Sequence, residues 1–574
     1  MEEKRRRFER ADYIFLLGLF VCVILAWIRS RYGMGVVDEA FFLSLGDKIY
    51  RGNAMLVHEW HASQFTFFLI QPLFVLFHLF RRSNEGMILF FRHAYIIVQV
   101  IVSIFIYLRT REYTKSGAGV AAIVYFLFCP LLQQNFNYNS IALICLHVAL
   151  ILILTAERKR PLQLGIAGFF FAGAVLCCPV LLALYLLYSV IVILKKNAKE
   201  WLWFTVGCAV MAAAFFLFLL SRASLSEILS NATHVLDDPE HPAFNPGLIL
   251  ISYVFHILEM APFAGVVYVG VILLTLITYL SPELLKKKEH LLIGASVLVT
   301  ALIVEMAVIG RNAEINSYPL NRVLFPVNIL APFCALLYDD KKMRKIFTGI
   351  WVPGILYGVC ISFISNLGIY SICSASSVAT TASVLILAIT YEKYLIKTEK
   401  IRKMAIVVLS LLFTCLIGSE IFLRAVSVYP GSPTSALTET IDSGTEEGLR
   451  VTPGERRGYA SRLEYTSFVR EYPSSQKAAY ITYHYWIVLE DWDVSSCTPS
   501  NLLTGLHPYT KENPNTVVIE RLDKFYQLNP DRVPEVIYID TGYDDVEQWY
   551  IDHFRYDVYE KEERGTILLR QNTV

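Results

Sequence analysis

Long apolar stretches, separated by short polar intervals, fill the chain up to about residue 424. Each comes close to the ~20 apolar residues that an α-helix needs to cross a bilayer. The first, Tyr13–Ile28, follows the basic cluster Lys4-Arg5-Arg6-Arg7. The others are Phe65–Phe80, Ile88–Leu108, Ala118–Leu131, Ile141–Thr155, Leu162–Leu176, Val180–Leu194, Trp201–Leu220, Leu248–Leu280, Leu291–Ile309, Val323–Leu337, Phe347–Ile364, Val378–Tyr391 and Met404–Leu423. After residue 424 the pattern changes. A linker rich in Ser, Thr, Gly and Pro is expected at 425–458, and a soluble α/β domain at 459–574. Within that domain the periodicity predicts a helix at Ala460–Tyr472 and strands at Ala478–Trp486 and Glu535–Asp540. A helix at Asp544–Phe554 and a closing hairpin, Arg555–Glu560 with Thr566–Arg570, follow.

The polar intervals orient the chain. Basic residues cluster at Arg109/Arg111/Lys115, Arg158–Arg160, Lys195–Lys199, Lys286–Lys288, Lys341–Lys345 and Lys393–Lys403, whereas Gln133–Asn139, Cys177–Pro179 and Ser365–Ser374 carry no Lys or Arg. Cytoplasmic loops carry the excess of Lys and Arg. The alternation is consistent if Phe65–Phe80, interrupted by Gln71-Pro72, does not cross. Thirteen crossings then remain, with the N-terminus cytoplasmic and the C-terminal domain extracytoplasmic. Leu248–Leu280 reads as one long broken helix or as two. The predicted architecture is a polytopic α-helical membrane protein with a transmembrane domain at 1–424. A first external loop at 29–87 carries surface helices.

Composition supports this. Of 574 residues, 55% are hydrophobic and 18% charged, against roughly 25% charged in soluble proteins. The net charge of +1 gives no basic excess for nucleic acid. Ten of the 11 cysteines lie in apolar runs and only Cys497 in a polar region, so they read as buried hydrophobes rather than a disulfide framework. Asn231-Ala232-Thr233 fits a glycosylation sequon, a pattern that also arises by chance.

Candidate chemistry sits at the external helix ends. Asp38-Glu39 follows the first span and opens a helix whose Phe41, Phe42, Leu45 and Ile49 form an apolar stripe, as expected of a helix lying on a membrane surface. The pair reads equally as an N-cap or as general acid–base carboxylates. His58, Glu59 and His61 flank Trp60; imidazole and carboxylate are ordinary metal ligands, and polar loop tips are the plainer reading. Arg92 lies a turn inside the next span, where an arginine usually has a partner or snorkels. Arg311, Tyr318 and Arg322 surround another external loop, and arginine forks suit phosphate. Acids near one crossing and arginines near others suit a site for an anionic lipid head group. In the C-terminal domain Tyr483–Trp486, Asp491 and Trp492 read as core or as sugar contacts. No Walker motif, GxSxG or HExxH is present.

These features together resemble the GT-C fold of membrane glycosyltransferases, in the bacterial ArnT-like and protein O-mannosyltransferase-like (family 39-type) group. The resemblance covers Glu2–Leu423. It rests on Asp38-Glu39, the following helix, His61 to Pro72, FFRHAYIIV around Arg92, GIAGFFFAGAVLCCP at Gly165–Pro179, and the order of spans. It implies transfer of a sugar from a polyprenyl-phosphate donor to an extracytoplasmic lipid, glycan or protein acceptor, with inversion. Asp38 would be the base, Glu39 would orient the acceptor, and Arg92 and Arg322 would stabilise the phosphate leaving group. No cofactor beyond a possible divalent metal is implied. The chain departs from the group where His-Pro-Pro is replaced by His61-Ala62-Ser63, where Asn137 and Asn139 stand for an acid, and where no Lys lies near Cys178. A transporter or lipid flippase and a non-catalytic glycan-assembly subunit are the alternative readings. Glu305, inside a span, is the feature that suits a transporter.

Overall fold

The computed structural model describes residues 9–35, 38–128, 134–156, 161–194, 197–235, 288–310, 324–363, 369–395, 399–426, 432–472, 477–482, 484–490, 495–501 and 514–571, with single positions at 247, 251, 254 and 428. The uncertain span Leu248–Leu280 lies almost wholly outside them.

The chain is a polytopic helical membrane protein. Eight described helical segments are long and apolar enough to cross a bilayer. In order come α1 (Arg10–Arg29), α2 (Asp38–Tyr50), α3 (Thr66–Phe80), α4 (Met87–Thr110), α5 (Lys115–Leu127), α6 (Tyr138–Thr155), α7 (Pro161–Cys177), α8 (Leu182–Leu194) and α9 (Ala198–Leu220). After α10 (Leu225–Asn231) follow α11 (Lys288–Gly310), α12 (Val327–Leu337), α13 (Lys341–Ile346), α14 (Val352–Phe363), α15 (Ile369–Ser374), α16 (Ser377–Thr390) and α17 (Glu399–Val426). Without a hydrophobic drive between helices in lipid, packing and buried polar pairs hold such bundles. Both devices occur. Gly168 of α7 and Gly207 of α9 let backbones approach so closely that a Cβ on either would strike the facing main chain. α16 is buried along its whole length, and its polar groups are satisfied across helices. Asn328 Nδ2 donates to Thr380 Oγ1 at 3.0 Å, Ser383 Oγ donates to Asn328 Oδ1 at 3.0 Å, and His147 Nε2 lies 3.1 Å from Thr381 Oγ1.

The described basic clusters gather at one end of the bundle. Arg111 pairs with Asp12 at 2.9 Å, Lys115 with Glu9 at 2.7 Å, and Lys342 Nζ donates to the Glu112 carbonyl at 3.2 Å. The C-terminal region sits at the other end. Although Ala62–Phe80 is long and apolar enough to cross, both flanks of α3 meet residues 444–499. Trp60 N donates to Pro499 O at 2.7 Å before it, and Asn84 Nδ2 donates to Leu489 O at 2.6 Å after it. Pro72 lies within α3. The helix that follows, α4, instead runs from Ile88, which donates to Thr445 O, to Arg111 at the basic end.

The C-terminal region contains α18 (Pro453–Tyr465), α19 (Ser467–Glu471), α20 (Tyr485–Glu490), α21 (Pro514–Leu528) and α22 (Asp544–Phe554). A short antiparallel pair, β1 (Glu439–Thr440) and β2 (Arg450–Val451), precedes a five-stranded sheet. Its order is β4 (Ser495–Ser496), β3 (Lys477–Ile481), β5 (Val536–Asp540), β7 (Gly565–Arg570), β6 (Tyr556–Glu562). β3 is parallel to β4 and β5, and the last three strands are antiparallel. The expected β5, α22 and closing hairpin are present. The expected strand Ala478–Trp486 stops at Ile481, and Tyr485–Glu490 is helical. Tyr485 and Trp486 are core residues, and His484 is the partly exposed neighbour. Tyr483, Asp491 and Trp492 lie outside the described residues.

The stretch expected as a linker is stitched to the segment expected as the first external loop. Gly33 N donates to Arg450 O at 2.8 Å, Arg450 N to Arg31 O at 2.6 Å, and Gly86 N to Gly444 O at 2.9 Å. Trp60 is 1% exposed and enters the core of the α/β domain edge-on to Phe525, with ring centroids 5.5 Å apart.

A candidate carboxylate–arginine site between the first spans

The site begins where α1 ends. Ser30 to Gly35 turn the chain, and Asp38 and Glu39 then fill the first turn of α2, where carboxylates meet the positive end of the helix dipole. Glu39 is 2% exposed and faces Arg92 of α4. Arg92 Nε donates to Glu39 Oε1 at 2.8 Å and Nη2 to Oε2 at 2.5 Å, a two-pronged pair. The same guanidinium donates to the carbonyls of Ser30 at 2.6 Å and Gly33 at 2.8 Å. Gly35 is required beside it, since a Cβ there would strike the Glu39 carboxylate and its Cβ. His93, stacked on Trp27 with centroids 3.8 Å apart, places Nε2 3.1 Å from Ser30 Oγ. Both Glu39 oxygens are therefore paired with Arg92. Asp38, half-buried on the neighbouring position, is the more open acid of the pair.

A second carboxyl stands close. Glu446, on the strap between β1 and β2, is 1% exposed, and its Oε2 has no hydrogen-bond partner among the described residues. Burial first, then the negative charge of Glu39, push it up to about 8, with Arg92 opposing.

The loop residues His58, Glu59 and His61 do not converge. Glu59 is fully buried and accepts from Lys48 Nζ at 3.1 Å, while Lys48 also donates to Thr498 O at 2.7 Å. His61 accepts from Ser63 N at 3.2 Å and caps the turn before α3. His58 Nδ1 accepts from Ala54 N at 3.0 Å and lies 3.1 Å from Arg532 Nη2. Burial first, and Arg532 next, hold His58 down to about 4, so it is neutral at pH 7. Glu59 is thus buried, with His58 and His61 partly buried beside it. Among the described residues no three His, Cys, Asp or Glu gather to hold a metal ion. The Glu39 and Glu59 carboxylates are each paired to a cation, Arg92 and Lys48. Arg311, Tyr318 and Arg322 lie outside the described residues.

No protein-family model matches the chain, and no curated protein matches it. Solved structures do. The chain is similar to the crystal structure of ArnT from Cupriavidus metallidurans in the apo state, at 12% identity and a TM-score of 0.42, covering 98% of both chains. It is similar to the same protein bound to undecaprenyl phosphate, at 11% identity and a TM-score of 0.42, covering 98% of this chain and 99% of that one. It is also similar to the Archaeoglobus fulgidus oligosaccharyltransferase in complex with Zn and sulfate. There the identity is 12% and the TM-score 0.45, over 91% of this chain and 68% of that one.

Three expectations change in the structure. α2 is not a surface helix. Glu39 through Ile49 are all buried, because the C-terminal region covers the face that the sequence leaves polar. Asn501 Nδ2 donates to Ser44 Oγ at 2.8 Å there, and Tyr485 packs on Phe41 with centroids 5.3 Å apart. Arg92 is a clamp on the α1–α2 turn rather than an open fork. Asn231 is 2% exposed and its amide donates to Glu227 O at 2.9 Å, so the sequon is not presented as an acceptor. Sequence reasoning missed Lys48, Glu446 and Arg532. Lys48 carried a signal, since it falls on the Phe41–Leu45 stripe at helical spacing, where a lysine implies a buried counter-charge. Glu446 and Arg532 carried none, because their partners lie hundreds of residues away.

Proposed function

We propose that the chain is a membrane glycosyltransferase that moves a sugar from a polyprenyl-phosphate-linked donor to an extracytoplasmic acceptor. The observation that carries this reading is the division of labour in the Asp38-Glu39 pair. Glu39 is paired with Arg92, and Asp38 lies half-buried beside it at the start of α2, at the bundle end opposite the basic clusters. A carboxylate fixed there is suited to take a proton from an acceptor hydroxyl as its oxygen attacks the anomeric carbon. The sugar–phosphate bond breaks as the new bond forms, the configuration inverts, and the lipid phosphate leaves. Arg92 acts as a positioning residue through Glu39 and the two carbonyls. Arg322 remains the proposed stabiliser of the leaving phosphate, and Arg311 and Tyr318 are proposed substrate contacts. The family resemblance in the sequence supplies the donor class, with a lipid, glycan or protein as acceptor.

The test uses the full chain reconstituted with a polyprenyl-phosphate sugar and candidate acceptors. Transfer that is lost in Asp38→Asn, with fold and expression unchanged, supports the reading. Solute uptake or lipid scrambling without transfer overturns it in favour of a transporter.

A further inference from the structure

A cavity of about 240 Å³ opens between the outer ends of α1 and α17. Its wall is apolar, including Leu25, Ile28 and Ile421, and its rim carries Arg29 and Arg424. Leu25 and Ile28 are 42% and 55% exposed, so the outer faces of α1 that border the cavity are lipid-facing. The Arg424 side chain is nine-tenths buried. Its Nε and Nη2 have no hydrogen-bond partner among the described residues. Glu420 Oε2 forms an ion pair with Arg424 Nε at 4.0 Å, too long to accept a hydrogen bond from it. Arg29 Nε donates to the Arg424 carbonyl at 2.6 Å, which holds the two arginines at one rim.

A buried guanidinium with unused donors is expensive unless an acceptor satisfies it. A bilayer-facing pocket with an apolar wall offers that acceptor in one form, the phosphate of a lipid whose chains lie against the wall. The geometry points to a binding site for an anionic glycerophospholipid between α1 and α17, with its phosphate on Arg424 and Arg29. The cavity volume suits a compact head group, while the chains pack along the exposed flank of α1 outside it. The inference is independent of the sugar-transfer reading, since none of these side chains belongs to the Asp38–Glu39–Arg92 centre.

The full chain, purified in mild detergent, is examined by native mass spectrometry and thermal unfolding with four probes: phosphatidylglycerol, phosphatidylcholine, undecaprenyl phosphate and inorganic phosphate. Phosphatidylglycerol is expected to remain bound and to raise the unfolding midpoint, phosphatidylcholine to do neither, and Arg424→Gln to weaken retention at least tenfold. Leu25→Trp, which fills the apolar wall without changing charge, is expected to weaken it as well, and keeps the test open if Arg424→Gln fails to fold. Equal retention of the two phospholipids, or unchanged retention in both variants, overturns the site. Displacement of phosphatidylglycerol by inorganic phosphate alone, or by undecaprenyl phosphate at equal concentration, overturns its assignment to a glycerophospholipid.

Discussion

Removing Arg92 should cost more than removing any surface charge on this protein. Arg92→Met leaves the Glu39 carboxylate buried at 2% exposure without its two donors at 2.8 and 2.5 Å. It also frees the Ser30 and Gly33 carbonyls, which the guanidinium holds at 2.6 and 2.8 Å. Breaking a buried ion pair by deleting one partner costs about 3–5 kcal/mol, because the surviving charge stays desolvated. Glu39→Gln should cost a similar amount, since the guanidinium then lacks its counter-charge. Combining the two removes both charges, so the double variant should recover about 2–3 kcal/mol relative to the sum of the singles. Arg92→Lys should behave as a partial loss, because a single ammonium cannot replace the fork and reach both carbonyls. Equilibrium unfolding in detergent measures all four. Hydrogen exchange at residues 30–35 should rise in Arg92→Met before global unfolding, since that turn is what the guanidinium holds. Strict additivity of the two single variants, or singles within about 0.5 kcal/mol of the parent, would refute the clamp.

Trp60→Ala should cost about 3–5 kcal/mol and should loosen the α/β domain selectively, since Trp60 belongs to that domain's core; limited proteolysis of the region after residue 459 reads this out. Lys48→Met should destabilise by about 3–5 kcal/mol and Lys48→Met with Glu59→Gln by clearly less, as denaturant midpoints report; a double variant as weak as the sum contradicts the pairing at 3.1 Å. Glu446 gives a pH dependence. Its carboxyl is held at about 8 against an ordinary 4.5, so the folded chain keeps a proton that the unfolded chain has lost. Stability should therefore fall as pH rises from about 5 to 8, and Glu446→Gln should flatten that slope; an unchanged slope in the variant contradicts it.

The spans were legible because lipid imposes one rule on every crossing: enough apolar residues to span, with charges at the ends. That rule placed α1, α4, α6 and α9 to within a few residues. It also marked Phe65–Phe80 as different; Ala62–Phe80 is long and apolar enough to cross, and both flanks of α3 contact the C-terminal region. The Asp38-Glu39 pair and Arg92 were legible as charges near helix ends, but their mutual geometry was not. Spacing along one chain does not reveal which of two adjacent acids meets an arginine 53 positions away. The face of α2 was misjudged for the same reason. Ser44 looks solvated until Asn501 is folded against it, and Lys48 gains the Thr498 carbonyl only from some 450 residues later. The metal reading of His58, Glu59 and His61 rested on nearness in sequence, and Lys48, Arg532 and the cap at Ser63 claim those groups instead.

The central claim is that Asp38 is the base of a sugar-transfer reaction at the membrane surface. The most direct measurement is single-turnover transfer from a polyprenyl-phosphate sugar by the reconstituted full chain, comparing the parent with Asp38→Asn at matched folding. Loss of general-base assistance predicts a fall in rate of about 10²–10⁴-fold with donor binding preserved. Transfer by Asp38→Asn at the parental rate would contradict the claim.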